Sequence, residues 1–249
     1  MDNLELLKLL PDNSIDLIYC DVLYNTGKQF KDYNDNLGTT QQAIEWYKPR
    51  LIEMKRVLKN TGSIWLQMDN RLLHYIKIEM DKIYGEENFV DQVIWTYTKG
   101  GKNTKKFKKA YDSILWYSKS NKYVFNLDEV RVPYAKETLR RQNAESWKKL
   151  GIKINPLGQQ CTNIWDIPAI KKGNYTHKNQ EYTGYDTQKP KKLIERIIKA
   201  SSKEGDLVAD FFCGSGTTME VAKHLNRNYI GCDINPKAID ITNKRLNNA

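Results

Sequence analysis

The chain has 249 residues and a net charge of +10, a size that suits one α/β domain or one domain with a large insertion. Apolar residues make up 40% of it, enough for a core, but no apolar run reaches the roughly 20 residues of a membrane span and no signal-peptide pattern opens it. The four cysteines and three histidines lack metal-ligand spacing, so we expect reduced thiols, no metal site and a cytoplasmic location.

The first part of the chain alternates predicted helices and strands. Apolar spacing predicts helices over 3–10, 40–59 and 71–85, and strands over 15–20, 62–69 and 89–98. The first strand is followed at once by Asp21, and Tyr24 lies three residues further on. Open α/β sheets bind ligands at the carboxyl ends of their strands, so Asp21 and Tyr24 are candidates for a site.

The middle of the chain is strongly basic and less regular. Residues 99–109 hold six lysines, two glycines and no acid, which predicts a loop or mobile arm. A strand pair is predicted over 113–120 and 122–126, and 131–186 is irregular except around 163–168. Residues 96–192 contain 21 Lys and Arg against 8 Asp and Glu, whereas the rest of the chain contains 19 against 22. This asymmetry indicates a polyanionic partner, with a solvated lysine-rich surface as the alternative.

Regular structure returns from residue 187. An amphipathic helix begins at Pro190, and a strand, a glycine turn, a helix and a second strand follow before a last helix over 236–246. Gly214 and Gly216 let the backbone approach a ligand closely, and the helix that begins near Thr217 presents free N–H groups. Asp233, seventeen residues past Gly216, can accept hydrogen bonds from both hydroxyls of a ribose. An ordinary βαβ turn is the alternative.

Three segments resemble those of one family. "DFFCGSGTT" resembles the D-P-F-x-G-S-G-T-T cofactor motif of the amino-group DNA methyltransferases, and "TQKP" with the helix after it resembles the segment that precedes that motif. "SIDLIYCDVLYNTGKQFKDY" resembles their catalytic segment, usually D-P-P-Y-N-T-G-K. The order of catalytic motif, basic block and cofactor motif is similar to the β group, in which the central block recognises the target. Members usually have a strand before the first helix, so we expect either a shorter sheet edge here or a start of the protein upstream of this sequence.

The resemblance implies S-adenosyl-L-methionine as the methyl donor and double-stranded DNA as the substrate. Asp233 would hold the ribose, and Lys189 would lie near the methionine end. Carried over by position, the cofactor-binding residues are Asp210, Phe212, Cys213, Gly214, Ser215, Gly216, Thr217, Thr218, Asp233 and Lys189. The basic segment adds DNA-binding candidates, which are Lys102, Lys105, Lys106, Lys108 and Lys109. A cognate restriction endonuclease and a second copy of the chain are further candidate partners, and a location at the nucleoid is expected.

Chemistry supports the same two catalytic residues, Asp21 and Tyr24. The exocyclic amine of a base is a poor nucleophile, because its lone pair is delocalised into the ring. A carboxylate and a backbone carbonyl that accept its N–H groups would pull the nitrogen toward tetrahedral geometry, and the neutral leaving thioether needs no acid or metal. The base must first leave the duplex, and Tyr24 offers a flat face on which it can stack. The structural alternatives are a helix cap for Asp21 and a core ring for Tyr24.

The catalytic motif is unusual because Val22 and Leu23 replace both of the family's prolines. Position 22 still supplies a carbonyl, but the fixed φ angles that proline imposes are missing. We therefore expect a working catalytic loop that is less rigid than usual.

The expected fold is a doubly wound, mostly parallel, Rossmann-like α/β sheet. Residues 1–95 and 187–249 would form the catalytic and cofactor-binding domain, and residues 96–186 a basic target-recognition region. Adenine N6 is the favoured acceptor, because relatives that act on cytosine N4 more often open the motif with serine than with aspartate. Cytosine N4, a catalytically weakened DNA-binding homologue, and an RNA or protein methyltransferase are the alternatives.

Overall fold

The computed structural model describes residues 1–30, 33–98, 104–142, 144–170 and 181–247. Its α-helices are α1 (Asn3–Leu9), α2 (Thr40–Val57), α3 (Asn70–Tyr84), α4 (Lys136–Gln142), α5 (Glu145–Lys149), α6 (Lys191–Ser201), α7 (Thr217–His224) and α8 (Pro236–Asn247). Its strands are β1 (Ile15–Asp21), β2 (Lys28–Gln29), β3 (Asn34–Asp35), β4 (Leu58–Met68), β5 (Phe89–Thr96), β6 (Tyr111–Ser118), β7 (Ile164–Asp166), β8 (Leu207–Asp210) and β9 (Asn228–Gly231).

Seven of these strands form one sheet in the order β7-β5-β6-β4-β1-β8-β9. Strands β4, β1, β8 and β9 run parallel to one another, and β7 runs parallel to β5. Strand β6 is antiparallel to both of its neighbours, β4 and β5. The prediction of a mostly parallel α/β sheet is therefore confirmed. The remaining strands, β2 and β3, form a small separate hairpin.

Helices cover both faces of the sheet, because its central strands are apolar on both sides. Ile18 of β1 packs in one cluster with Leu51 of α2 and Ile76 of α3. Leu17, its neighbour in sequence, points to the opposite face and packs with Ile197 of α6 and Ala222 of α7. The result is a three-layer arrangement that aligns the carboxyl ends of β1, β4, β8 and β9 at one edge.

Local sequence signals explain where several helices begin and end. Thr39 and Gln42 form a capping box at the start of α2, with each side chain bonded to the other's backbone N–H. Asp69 caps the start of α3, and Gly85 ends that helix with a φ of 96°. Within the described ranges, no helix combines the length and apolar character needed to cross a membrane.

Several predicted bounds differ from those of the structure, and one predicted strand does not form. The helix predicted over 40–59 ends at Val57, because Leu58 already pairs with Ile15 as the first residue of β4. The predicted partner strand over 122–126 does not form, since β4 and β5 occupy both edges of β6. This segment instead lays Tyr123 and Phe125 against Trp116, with ring centroids 5.5 Å away in each case.

The predicted division of the chain at residue 96 stays a prediction, although part of the basic region enters the main sheet. Strands β6 and β7 lie within the predicted recognition region of residues 96–186, yet both belong to the main sheet. The physical reason is that β6 contributes a buried strand, 111–118, which fills the sheet between β4 and β5. A recognition role for the rest of 96–186 stays a prediction.

Candidate active site

A cavity of about 390 Å³ lies at the carboxyl ends of β1, β8 and β9. Open α/β sheets bind ligands at this edge, and the volume is within the usual range for small-molecule sites. Most of the predicted catalytic and cofactor-binding residues line it, together with Tyr19, Tyr33, Trp46 and Tyr185. The predicted residues that do so are Asp21, Lys189, Asp210, Phe212, Cys213, Gly214, Ser215, Thr217, Thr218 and Asp233.

The glycine turn between β8 and α7 forms the floor of the cavity. Gly214 and Gly216 have φ angles of 49° and 76°, and Gly216 immediately precedes the first residue of α7. Gly216 shapes the turn from behind, because an added Cβ there would lie 2.5 Å from the Thr242 hydroxyl. Arg245 is buried beneath the turn and donates to the Ser215 carbonyl at 2.9 Å and the Thr217 hydroxyl at 3.0 Å.

Asp233 is held at the β9 side of the cavity by two backbone amides. Its Oδ2 accepts from the Gly214 N–H and its Oδ1 accepts from the Asn235 N–H, both at 2.9 Å. Burial raises the pKa of Asp233, and the two amides oppose that rise. Strand β9 ends at Gly231, so Asp233 lies in the turn after the strand and not on the strand itself. Each oxygen retains a further lone pair for a ligand hydroxyl.

Asp210 occupies the centre of the cavity edge. The Thr218 hydroxyl donates to its Oδ2 at 2.5 Å, and the Phe212 amide donates to its Oδ1 at 3.0 Å. Burial raises the pKa of Asp210 to about 7, against the opposing effect of those two hydrogen bonds. This carboxyl group therefore connects the end of β8 to the start of α7.

Asp21 lines the β1 side of the cavity, and Tyr24, which is not among the lining residues, lies beside it. The Tyr24 hydroxyl donates to Asp21 Oδ1 at 2.7 Å, and the Lys189 ammonium bonds to Asp21 Oδ2. Burial raises the pKa of Asp21, and the Lys189 charge and the two hydrogen bonds only partly offset it. The structure thus joins the catalytic motif to the "TQKP" segment, which lies 168 residues away in sequence.

Sequence reasoning missed the residue behind Tyr24, which is Gln67. Gln67 is fully buried on β4, directly opposite Asp21 in the strand register. Its Nε2 donates to the Tyr24 hydroxyl at 3.2 Å, and its Oε1 accepts from the Tyr19 hydroxyl at 2.8 Å. The available signal was one polar residue within the apolar run "IWLQM", since buried amides are generally retained for a hydrogen-bonding role.

Lys109 does not have the position expected of a phosphate-binding lysine. Its ammonium lies 2.6 Å from Asp69 Oδ2 and 2.6 Å from Asp112 Oδ1, and 5.6 Å from the centre of the Tyr24 ring. Burial alone would lower the pKa of Lys109, but the two carboxylates raise it overall. Lys109 therefore anchors the basic segment beside the catalytic motif, because two buried carboxylates compete with any phosphate for it.

The structure describes three of the other four DNA-binding candidates. Lys105, Lys106 and Lys108 are exposed, and Phe107 between them is fully exposed. Lys102 lies outside the described residues. Their contact with DNA stays a prediction. Across the described part of the chain, no group of three or more His, Cys, Asp or Glu side chains is arranged to hold a metal ion.

The cavity has the features that an adenosyl group with an amino-acid tail requires. Asp233 presents acceptors for ribose hydroxyls, and the Trp46 and Phe212 rings, 6.0 Å apart between centroids, give flat apolar surfaces for a purine. Lys189 offers a positive charge and the Thr217 hydroxyl a donor for a carboxylate, whereas the Thr218 hydroxyl donates to Asp210. The residues present therefore fit S-adenosyl-L-methionine.

Comparison with known proteins identifies the same family over nearly the whole chain. A family model described as DNA methylase matches residues 15–244. The Type II methyltransferase M.HpaI of Haemophilus parainfluenzae is 38% identical over 241 residues, which are 96% of this chain and 70% of that protein. The DNA adenine methyltransferase YhdJ of Escherichia coli strain K12 is 34% identical over 249 residues, which are 98% of this chain and 80% of that protein.

Solved structures share the fold at lower sequence identity. The PvuII DNA methyltransferase, described as cytosine-N4-specific, has a TM-score of 0.66 and 21% identity, with coverage of 100% of this chain and 92% of that one. A DNA modification methylase of Thermus thermophilus in complex with S-adenosyl-L-methionine has a TM-score of 0.65 and 20% identity, with coverage of 99% of this chain and 91% of that one.

These findings confirm the predicted family and, with it, S-adenosyl-L-methionine as the cofactor. The family model covers both the catalytic motif at Asp21 and the glycine turn at Gly214. The chain belongs to the DNA methylase family of N6 and N4 amino-methyltransferases.

Proposed function

We propose that the protein transfers a methyl group from S-adenosyl-L-methionine to N6 of an adenine that has been flipped out of duplex DNA. The observation that carries this proposal is the position of Asp21, whose carboxylate lines the same cavity as the glycine turn and Asp233. A base whose amine contacted Asp21 would therefore lie next to a cofactor bound at the glycine turn and Asp233. The 34% identity to a DNA adenine methyltransferase supports adenine as the acceptor.

The bound cofactor supplies an electrophilic methyl group on a sulfonium, and the chain's own residues prepare the amine. Asp21 and the Val22 carbonyl accept the two N–H groups of the amine, which frees the nitrogen lone pair from the ring. The Tyr24 hydroxyl holds Asp21 Oδ1, and Gln67 holds that hydroxyl in turn. Asp21 Oδ2 can accept the proton that the amine releases, since burial raises the pKa of this carboxyl group.

Cytosine N4 is the second candidate acceptor. The same carboxylate and carbonyl would hold its amine, because both bases present an exocyclic N–H₂ group. A catalytically weakened DNA-binding homologue is the third candidate, and Val22 and Leu23 in place of the prolines are the observation that favours it.

Expression in a methylation-free bacterium, followed by single-molecule sequencing of its DNA, tests these candidates directly. We expect N6-methyladenine within one short recognition sequence, and no modification with the Asp21→Ala variant. N4-methylcytosine in place of N6-methyladenine would contradict the choice of base. If the parent protein binds cofactor and duplex DNA but the DNA of the expressing cells stays unmodified, the proposal that the protein is an active methyltransferase is wrong.

The remaining partners are also proposals. Residues 96–186 would contact the target DNA, a cognate restriction endonuclease would cut the unmodified site, and two copies of the chain would associate. Light scattering on the purified protein tests the dimer, and protection of the methylated site from a co-purified or neighbouring nuclease tests the endonuclease.

A further inference from the structure

A buried carboxylate outside the catalytic motif holds the loop that follows Asp21. Asp35 is 2% exposed and lies on β3 of the small hairpin. Its Oδ1 accepts from the Tyr24 N–H at 2.8 Å and the Asn25 N–H at 3.0 Å. Its Oδ2 accepts from the Thr26 N–H at 3.0 Å and the Thr26 hydroxyl at 2.5 Å. Four donors from three consecutive residues therefore converge on one carboxylate.

This convergence requires an unusual backbone conformation. Asn25 has a φ of 52°, in the left-handed region that few residues other than glycine adopt, and Gly27 has a φ of 70°. The Asn25 side chain adds two bonds to the same hairpin, accepting from the Leu37 N–H at 2.7 Å and donating to the Gly38 carbonyl at 3.0 Å. The segment 35–38 thus determines the shape of the catalytic loop from outside it.

Two further hydrogen bonds restrain the backbone at the positions where the prolines are missing. The Val22 N–H donates to the Gln67 carbonyl at 3.2 Å, and the Tyr47 hydroxyl donates to the Leu23 carbonyl at 2.6 Å. Position 22 is therefore restrained by a hydrogen bond that a proline could not make. From Tyr24 onward the restraint comes from Asp35, which fixes the backbone whose side-chain hydroxyl reaches Asp21.

We propose that Asp35 is a positioning residue for methyl transfer, one that orders the loop in place of the motif's prolines. The proposal rests on the proposed function, because it assigns Asp35 a role in presenting Asp21 and Tyr24 to the target amine. Asp35 touches neither of these two side chains, and it acts through the backbone amides of Tyr24, Asn25 and Thr26.

The decisive variant is Asp35→Asn, which keeps the shape of the side chain but replaces one acceptor oxygen by a donor. We expect its single-turnover methyl-transfer rate on methylation-free duplex DNA to fall by about ten- to a hundred-fold. Its Kd for S-adenosyl-L-methionine, measured by titration calorimetry, should stay within about threefold of the parent value, since the cofactor residues are elsewhere. Thr26→Val removes only one donor and should give a smaller loss of rate.

Asp16→Asn is the matched control. Asp16 lies near the opposite end of β1, where its carboxylate also accepts a backbone amide, that of Leu207 at 2.9 Å, and pairs with Lys59. We expect this variant to lower Tm without slowing methyl transfer. Adding Leu23→Pro to Asp35→Asn should recover at least about threefold in rate, because the proline supplies a restraint on the same loop. The same addition should leave the rate of Asp16→Asn unchanged.

Hydrogen exchange of residues 22–27 provides a readout that does not depend on turnover. Asp35→Asn should lose protection of the Tyr24, Asn25 and Thr26 amides, whereas Asp16→Asn should retain it. An active parent whose rate is unchanged by Asp35→Asn would overturn the role of Asp35 alone. A parent that transfers no methyl group would overturn the proposed function as well as this role. A rate loss matched by an equal loss of cofactor affinity would show that Asp35 is only structural.

Discussion

At the scale of single residues, the ionisation of Asp21 should govern how the reaction depends on pH. Burial raises the pKa of Asp21, while hydrogen bonds from Lys189 and Tyr24 lower it. The ionised carboxylate is the form that accepts N–H groups, so the rate should fall as the pH falls through this raised pKa.

The Tyr24→Phe variant tests that dependence. It removes a donor that favours the ionised carboxylate, so the pKa of Asp21 should rise further and the acid limb of the rate should move to higher pH. Single-turnover rates across a pH series measure the shift. Tyr117→Phe is the control, since its hydroxyl donates to Asp81 at 2.6 Å, away from the cavity. If the rate of Tyr24→Phe falls over the same pH range as the rate of the parent, the Tyr24 hydroxyl does not influence the pKa of Asp21.

At the scale of elements, the effect of a substitution in the glycine turn should depend on the space around the glycine. Gly216 of the turn can be compared with Gly205, which lies before β8. Gly216 and Gly205 have φ angles of 76° and 82°, so alanine at either position forces a left-handed L-residue, which costs about 1–2 kcal/mol. Only at Gly216 does the added Cβ also meet a neighbour, the Thr242 hydroxyl at 2.5 Å, whereas at Gly205 it meets nothing within 4 Å.

We therefore expect Gly216→Ala to destabilise the protein more than Gly205→Ala does, and to weaken cofactor binding as well. Urea unfolding measures the first difference and titration calorimetry the second. Equal destabilisation by the two substitutions would mean that the turn relaxes away from α8 without penalty.

The basic segment is the second element whose role can be measured. Lys105, Lys106 and Lys108 are exposed, whereas Lys109 is paired with Asp69 and Asp112. If the exposed lysines meet phosphates, replacing all three by alanine should reduce the slope of log affinity against log salt by about 0.9 for each phosphate that is no longer neutralised. Fluorescence anisotropy with duplex DNA at several salt concentrations gives this slope.

The matched control replaces three exposed lysines outside the basic segment, which are Lys8 of α1, Lys203 after α6 and Lys223 of α7. These substitutions should leave the slope unchanged, although they remove the same total charge. Equal slopes for the two triple variants would favour a solvated surface over a DNA contact. Lys109→Ala should act differently, mainly slowing methyl transfer, because it leaves two carboxylates unpaired beside Tyr24.

At the scale of the whole molecule, cofactor binding should stabilise the fold by mass action. S-adenosyl-L-methionine at about 100 times its Kd should add about 2.7 kcal/mol to the free energy of unfolding. For a chain of this size, that corresponds to roughly 5–11 °C in Tm.

Asp233→Ala should lose most of this increase at the same cofactor concentration, because a charged hydrogen bond contributes about 1.5–3 kcal/mol. Asp206→Ala is the control, since Asp206 precedes β8, does not line the cavity and has a carboxylate that accepts from the nearby Lys203 amide at 2.7 Å. Thermal unfolding with and without cofactor measures both variants. A full increase in Tm for Asp233→Ala would remove Asp233 from the cofactor site.

The sequence by itself determined the features that depend on neighbours in the chain. The glycine turn, the acidic residues at the end of β1 and after β9, and the helix starts follow from local backbone requirements, which short motifs express directly. The resemblance of these motifs to one family was therefore enough to predict the sheet and the cofactor.

The tertiary structure alone decided which distant residues meet. Gln67 bonds to Tyr24 from 43 residues away in sequence, and Lys189 bonds to Asp21 from 168 residues away. Lys109 of the basic segment lies beside the Tyr24 ring. Strand β6 joins the main sheet although its flanking residues are basic and irregular, because pairing with β4 and β5 buries both of its edges. Asp35 illustrates the physical reason most clearly. A carboxylate on a polar hairpin looks solvated in sequence, and only the folded backbone turns three amides toward it.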